Sequence, residues 1–143
     1  MKTPIALVSG GFDPIHPGHI SLIQNAARHG NVVVLLNSDA WLTRKKGKPF
    51  MSWDERATIL RAITGVLNVL PVDDGDQTVC NGIAEAVRVY KGRTLIFCNG
   101  GDRLAGNTPE TALCEGLGVQ LVWNVGGGKE QSSTGLLSRW MEV

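Results

Sequence analysis

Residues 5–30 place a buried-strand signal, a glycine turn and a helix start in immediate succession, and that succession restricts the chain to few folds. Ile5-Ala6-Leu7-Val8 is a short apolar run of the kind that forms a strand covered on both faces. The decapeptide Gly10-Gly11-Phe12-Asp13-Pro14-Ile15-His16-Pro17-Gly18-His19 follows. Ile20, Ile23, Ala26 and Ala27 then recur at helical spacing, with Gly30 as a stop signal after Arg28-His29. Pro17 suits the first helical position, where its missing N–H has no partner to lose. His16 is thereby placed at or near the N-cap, and His19 in the first turn on the same face.

The remaining chain repeats this alternation. Val32-Val33-Val34-Leu35-Leu36 reads as a second buried strand, Val66–Val72 as a third, Thr94–Cys98 as a fourth and Val119–Trp123 as a fifth. A helix is expected after Ser52, with Asp54-Glu55 suited to its first turn, Ile59, Leu60 and Ile63 as its apolar stripe and Arg56 at the head of that stripe. Others are expected over Asp76–Tyr90, with Val79, Ile83, Ala86, Val87 and Tyr90 inward, near Pro109–Leu117, and from about Ser133 to Met141. Residues 40–51 carry Arg44, Lys45, Lys46 and Lys48 around Gly47 and then Pro49, which predicts a loop over at least the second half. Strands alternating with helices predict an α/β fold: a Rossmann-like five-stranded parallel sheet with helices on both faces, one domain over residues 1–143. Ligands of such sheets bind beyond the carboxyl ends of the strands, near the point where strand order reverses. The loops to watch are therefore 10–19, 37–51, 99–108 and 124–134.

Composition excludes several other classes. A chain of 143 residues suits a single core. A net charge of +1 without an extended basic face argues against nucleic acid as a partner. The apolar run near the start is too short for a signal peptide or a membrane span, so no membrane partner is expected. Cys80, Cys98 and Cys114 are odd in number and widely spaced, and read as reduced thiols of a cytoplasmic protein, with no metal site among them.

A lone His-x-x-His is usually a pair of surface histidines. Here the two imidazoles stand beside the exposed backbone N–H groups and positive dipole end of a helix, which together suit a phosphate. Gly10, Gly11 and Gly18 leave room for that phosphate to approach the backbone. A Lys/Arg cluster is by default a solvated face, but the one at 44–48 follows a strand whose end faces the same crevice. Asn99-Gly100-Gly101-Asp102-Arg103 follows strand four; it is either an ordinary Asx-capped turn or a place where Asp102 accepts hydrogen bonds from ribose hydroxyls. Residues 126–134, Gly-Gly-Gly-Lys-Glu-Gln-Ser-Ser-Thr, are not a Walker A loop, because Glu130 stands where Ser or Thr is required.

The stretch Gly10–His19 resembles the His-x-Gly-His signature of the cytidylyltransferase-like nucleotidyltransferases, whose small members include glycerol-3-phosphate cytidylyltransferase and heptose-1-phosphate adenylyltransferase. The resemblance extends through four ordered motifs over nearly the whole chain. It implies that His16, His19 and Lys46 are catalytic. It further implies that Gly10, Gly11, Phe12, Asp13, Gly18, Gly101, Asp102, Gly128, Ser132, Ser133 and Thr134 bind the nucleotide, with 132–134 on the β- and γ-phosphates. Lys45, Lys48 and Arg56 would contact the acceptor or its phosphate. Two departures stand out: Arg103 occupies a position that is often aromatic, and Gly127-Gly128-Lys129-Glu130-Gln131 replaces the Arg-Thr-Glu-Gly-Ile of the polyol cytidylyltransferases. The resemblance also implies an NTP and a small phosphorylated polyol or sugar as substrates, Mg²⁺ carried by the triphosphate, and a homodimer.

The chemistry needs little covalent help from the protein. A phosphate monoester has its second pKa near 6 and is largely a dianion at neutral pH, so it attacks an NTP α-phosphorus without a general base. The protein must supply positioning and charge stabilisation. Length, the short basic loop and the single-domain form resemble the polyol-phosphate cytidylyltransferases, which implies CTP, with ATP on a sugar phosphate as the alternative. A non-catalytic nucleotide sensor is the reading from another class; a dinucleotide-binding module is weaker, since no Gly-x-Gly-x-x-Gly opens the first helix.

Overall fold

β-branched and leucine-rich runs with few polar interruptions can be covered on both faces, and all five pair in parallel in the computed structural model, which describes residues 2–100, 108–123 and 125. The strands are β1 (Ile5–Gly10), β2 (Asn31–Leu36), β3 (Val66–Pro71), β4 (Leu95–Cys98) and β5 (Gln120–Val122). Their order in the sheet is β3-β2-β1-β4-β5, with every neighbouring pair parallel. The helices are α1 (Pro17–Ala26), α2 (Asp39–Lys46), α3 (Trp53–Arg61), α4 (Cys80–Val89) and α5 (Pro109–Leu117).

Alternation along the strands divides the core in two. Ala6, Val8, Val32, Val34 and Leu36 meet Ile23 and Ala26 of α1 and Ala57 and Leu60 of α3 on one face. Ile5, Leu7, Val33 and Leu35 meet Ile83 and Ala86 of α4 and Cys114 of α5 on the other. The expected parallel sheet with helices on both faces is therefore the fold of this chain. Strand order runs outward from β1 to β3 on one side and through β4 to β5 on the other, so the reversal lies between β1 and β4. The turn after β1 opens there, as the crevice rule for such sheets requires.

Several boundaries differ from expectation. The helix expected from Asp76 begins only at Cys80. Asp76 Oδ1 instead accepts the backbone N–H and the hydroxyl of Thr78, both at 2.9 Å, and Gln77 takes φ +69°. A short polar side chain has competed for the backbone and made a turn. In α3 the inward stripe is Arg56, Ala57 and Leu60; Ile59 is 39% exposed, and Ile63, beyond the helix end, packs against the core as expected. α1 stops at Ala26 with Ala27 as its C-cap, ahead of Gly30. The first half of the basic stretch is helical as α2, and the loop begins at Gly47 with φ +94°. The helix expected from Ser133 to Met141 lies outside the described residues.

Cys98 and Cys114 are buried, and burial pushes both thiols up to about 11; Cys80 is half-buried and all three are free. Among the described residues no helix is long and apolar enough to cross a membrane.

Candidate active site

The turn after β1 is shaped by one left-handed residue. Phe12, at φ +50°, is buried, and its ring lies 4.7 Å from that of His19, centroid to centroid. A large residue in this region of backbone space is costly and is retained where the surrounding structure holds it. The turn sends the Asp13 carboxylate beneath the loop and delivers His16 to the start of α1.

His16 is the N-cap, with extended φ −145°, and Pro17 occupies the next position. The imidazole Nδ1 of His16 accepts the Gly18 N–H at 3.1 Å, and the His16 N–H donates to Nδ1 of His19 at 3.1 Å. This is a reciprocal capping box built from two histidines where Ser and Glu are usual. The rings stack with centroids 3.8 Å apart and planes 23° from parallel. Because each Nδ1 accepts an N–H, the neutral form of each ring carries its proton on Nε2. Both histidines are thus set as Nε2–H donors at the positive end of a helix dipole. Gly18 is required by this packing, since a Cβ there would lie 2.8 Å from His16 Cε1. At Gly11 a Cβ would lie 2.9 Å from Leu42 Cδ2 on α2, so a larger residue there would displace that side chain. A hollow of about 420 Å³ opens beside His16, lined also by Ile15, Pro17, Ile20, Ser21 and Gln24.

α2 brings the basic cluster to the same end of the sheet. Its N-cap Ser38 accepts the Trp41 N–H at 3.0 Å, and its last turn carries Arg44, Lys45 and Lys46. Lys46 Nζ lies 3.0 Å from the buried Asp13 carboxylate and also donates to the Asp13 carbonyl. Lys45 Nζ sits 4.8 Å above the Trp41 ring. Arg44 donates to the Asp74 carbonyl at 2.9 Å and stands 3.6 Å from its carboxylate. Lys48 is exposed on the loop beyond Gly47.

The structure therefore gathers Gly10, Gly11, Phe12, Asp13, His16, Gly18 and His19 from the end of β1 through the turn to the first turn of α1, with Lys45, Lys46 and Lys48 on and after α2. Arg56, expected to touch the acceptor, is 1% exposed and turned inward onto loop carbonyls. Gly101, Asp102, Gly128, Ser132, Ser133 and Thr134 lie outside the described residues. Sequence reasoning did not single out Asp74, 3% exposed, which accepts from Asn37 and twice from Ser38 and so anchors the start of α2. Its one signal was an acidic pair, Asp73-Asp74, at the end of a strand.

Comparisons with known proteins agree with this geometry. The family described as cytidylyltransferase-like matches residues 7–113. The bifunctional protein HldE of Syntrophotalea carbinolica is 33% identical over 96% of this chain and 27% of its own length. HldE of Streptomyces coelicolor is 33% identical over 96% of this chain and 28% of its own length. The chain thus spans about a quarter of these curated relatives. Among solved structures, a lipopolysaccharide core biosynthesis protein from Thermoplasma volcanium superimposes with a TM-score of 0.63 at 17% identity, covering 85% of this chain and 95% of that one. A protein described as a nicotinate-nucleotide adenylyltransferase, from Vibrio parahaemolyticus, superimposes with a TM-score of 0.64 at 18% identity, covering 99% and 88%. A His-capped helix at the switch point of a 3-2-1-4-5 sheet and a family match over three-quarters of the chain lead to one assignment: this chain belongs to the cytidylyltransferase-like family of nucleotidyltransferases.

Proposed function

We propose that the chain transfers a nucleotidyl group from an Mg²⁺-bound NTP to the phosphate of a small phosphorylated polyol or sugar. A phosphate oxygen of the acceptor bonds to the α-phosphorus, the bond from that phosphorus to the bridging oxygen breaks, and pyrophosphate leaves with the electron pair. The acceptor is already anionic at neutral pH, so no side chain has to remove a proton. His16 and His19 donate from Nε2 to the phosphate oxygens on which charge develops, and the α1 N-terminus adds its dipole. Lys46, with Lys45 and Lys48 nearby, stabilises the departing pyrophosphate or the acceptor phosphate. Mg²⁺ carried by the triphosphate would supply charge neutralisation to the phosphate oxygens.

The observation that supports this reading most is the two-histidine capping box, which presents two oriented donors at a helix N-terminus. The test is pyrophosphate release across a panel of NTPs and phosphorylated acceptors. Release that needs both substrates supports the transferase; tight nucleotide binding with no release under any pairing supports the sensor reading instead.

CTP is the favoured nucleotide, on the resemblance of the short basic segment to that of the polyol-phosphate cytidylyltransferases. ATP is the second reading, favoured by Gly127–Gln131, which lack the Arg-Thr of the cytidylyl type. The family resemblance further supports a homodimer; sedimentation showing only monomer at micromolar concentration removes it.

A further inference from the structure

The resemblance assigned Arg56 to the acceptor, but its surroundings assign it other work. Among the described residues it is the bulkiest fully buried side chain, and a buried cation is tolerated only where its N–H groups are met. Nη1 donates to the Gly11 carbonyl at 2.8 Å and to the Asn37 carbonyl at 2.9 Å. Nε donates to the Met51 carbonyl at 3.1 Å, and Nη2 to Asp39 Oδ1 at 2.7 Å. These partners belong to four pieces of the site: the turn after β1, the end of β2, the first residue of α2, and the segment joining α2 to α3. Met51 is held on its other side as well, its N–H donating to Asp13 Oδ1 at 2.6 Å. A single guanidinium thus ties the loop that leads to His16 and the start of α1 to the helix bearing Lys45 and Lys46.

We propose that Arg56 is a positioning residue of the proposed transfer reaction: it sets the separation between the histidine donors and the lysine cluster and does not contact the acceptor. This rests on the nucleotidyl-transfer reading for its kinetic part only. A planar guanidinium with five donors can bridge three carbonyls and a carboxylate at once; a lysine ammonium keeps the charge but cannot reproduce that spread.

The test is Arg56→Lys, followed first by amide hydrogen exchange with no nucleotide present. Exchange at residues 11–13, 37–39 and 50–52 should rise about tenfold or more while β4 and α5 keep their protection, the pattern of local opening. Unchanged exchange in those three segments overturns the proposal. The second measurement is steady-state pyrophosphate release: kcat should fall about tenfold or more with the acceptor KM altered less than about threefold, as for a lost transition-state geometry. A raised acceptor KM with kcat retained also overturns it, since that is the behaviour of a direct contact. If Arg56→Lys fails to fold, Asp39→Asn removes one partner from the half-exposed side of the cluster and should loosen the same segments to a smaller degree; no loosening there overturns the proposal. Absence of pyrophosphate release in the unaltered chain would refute the transfer reading and leave the exchange measurement to decide the clamp.

Discussion

Asp74 grips Ser38 at two points, accepting its backbone N–H at 2.8 Å and its hydroxyl at 2.6 Å across 36 residues of sequence. Burial raises the Asp74 pKa, but the bonds from the Ser38 hydroxyl, the Ser38 N–H and Asn37 outweigh it and hold the carboxyl below its ordinary value. A carboxylate depressed in the folded state contributes stability above its unfolded pKa, about 3.9, and loses it as pH falls through the folded value. Acid denaturation should therefore steepen below about pH 4. Asp74→Asn should flatten that dependence and cost about 1–3 kcal/mol at neutral pH, from donors left unmet. Thermal melts over a pH series check both.

Either His16→Ala or His19→Ala should reduce turnover about a hundredfold or more, the scale of removing one oriented donor. Folding should survive, because a lost N-cap costs only about 1 kcal/mol. His16→Asn separates the two duties: asparagine caps well, so the melting temperature should recover while turnover does not. Near-normal turnover in both alanine variants would place the active site elsewhere.

The basic segment should behave as a fastened strap. The N–H groups of Phe50 and Met51 each donate to the buried Asp13 carboxylate at 2.6 Å. Their amides should exchange slowly before any nucleotide is added, while binding of NTP and Mg²⁺ should chiefly alter the Lys45, Lys46 and Lys48 side chains. Asp13→Ala should free the segment and destabilise the chain by about 3–5 kcal/mol, as for one half of a buried ion pair removed. Exchange at residues 50 and 51 as fast as in an unstructured peptide would contradict the clamp.

Titration of CTP and ATP by calorimetry, each with Mg²⁺, distinguishes the two nucleotides. Tighter CTP binding is expected. ATP binding more than about tenfold tighter, about 1.4 kcal/mol, reverses the assignment.

Local signals were strong enough to read the sheet and the histidine turn from the sequence. Apolar runs such as Val32–Leu36 have few alternatives to a buried strand, and Pro17 with Gly18 marks a helix start whatever packs around it. Long-range pairings were not legible. Arg56 looks like any charged residue at a helix start until Gly11, Asn37 and Met51 fold around it. Asp74 carries no mark in sequence of the serine it will hold. Asp76 misled because its side chain turns back onto Thr78, where a helix was expected. Ile59 misled because the inward place on α3 is taken by a guanidinium.

Asp13 also acts as a resident anion for Lys46. An arriving phosphate that draws the ammonium away leaves the carboxylate with two backbone amides still bound to it. The carboxylate therefore remains solvated by the protein throughout, and the swap trades one counter-ion for another. On the proposed reading, affinity for the nucleotide would reflect the difference between two anions competing for one cation, and added salt would weaken the more exposed phosphate contact more than the buried Asp13 pair.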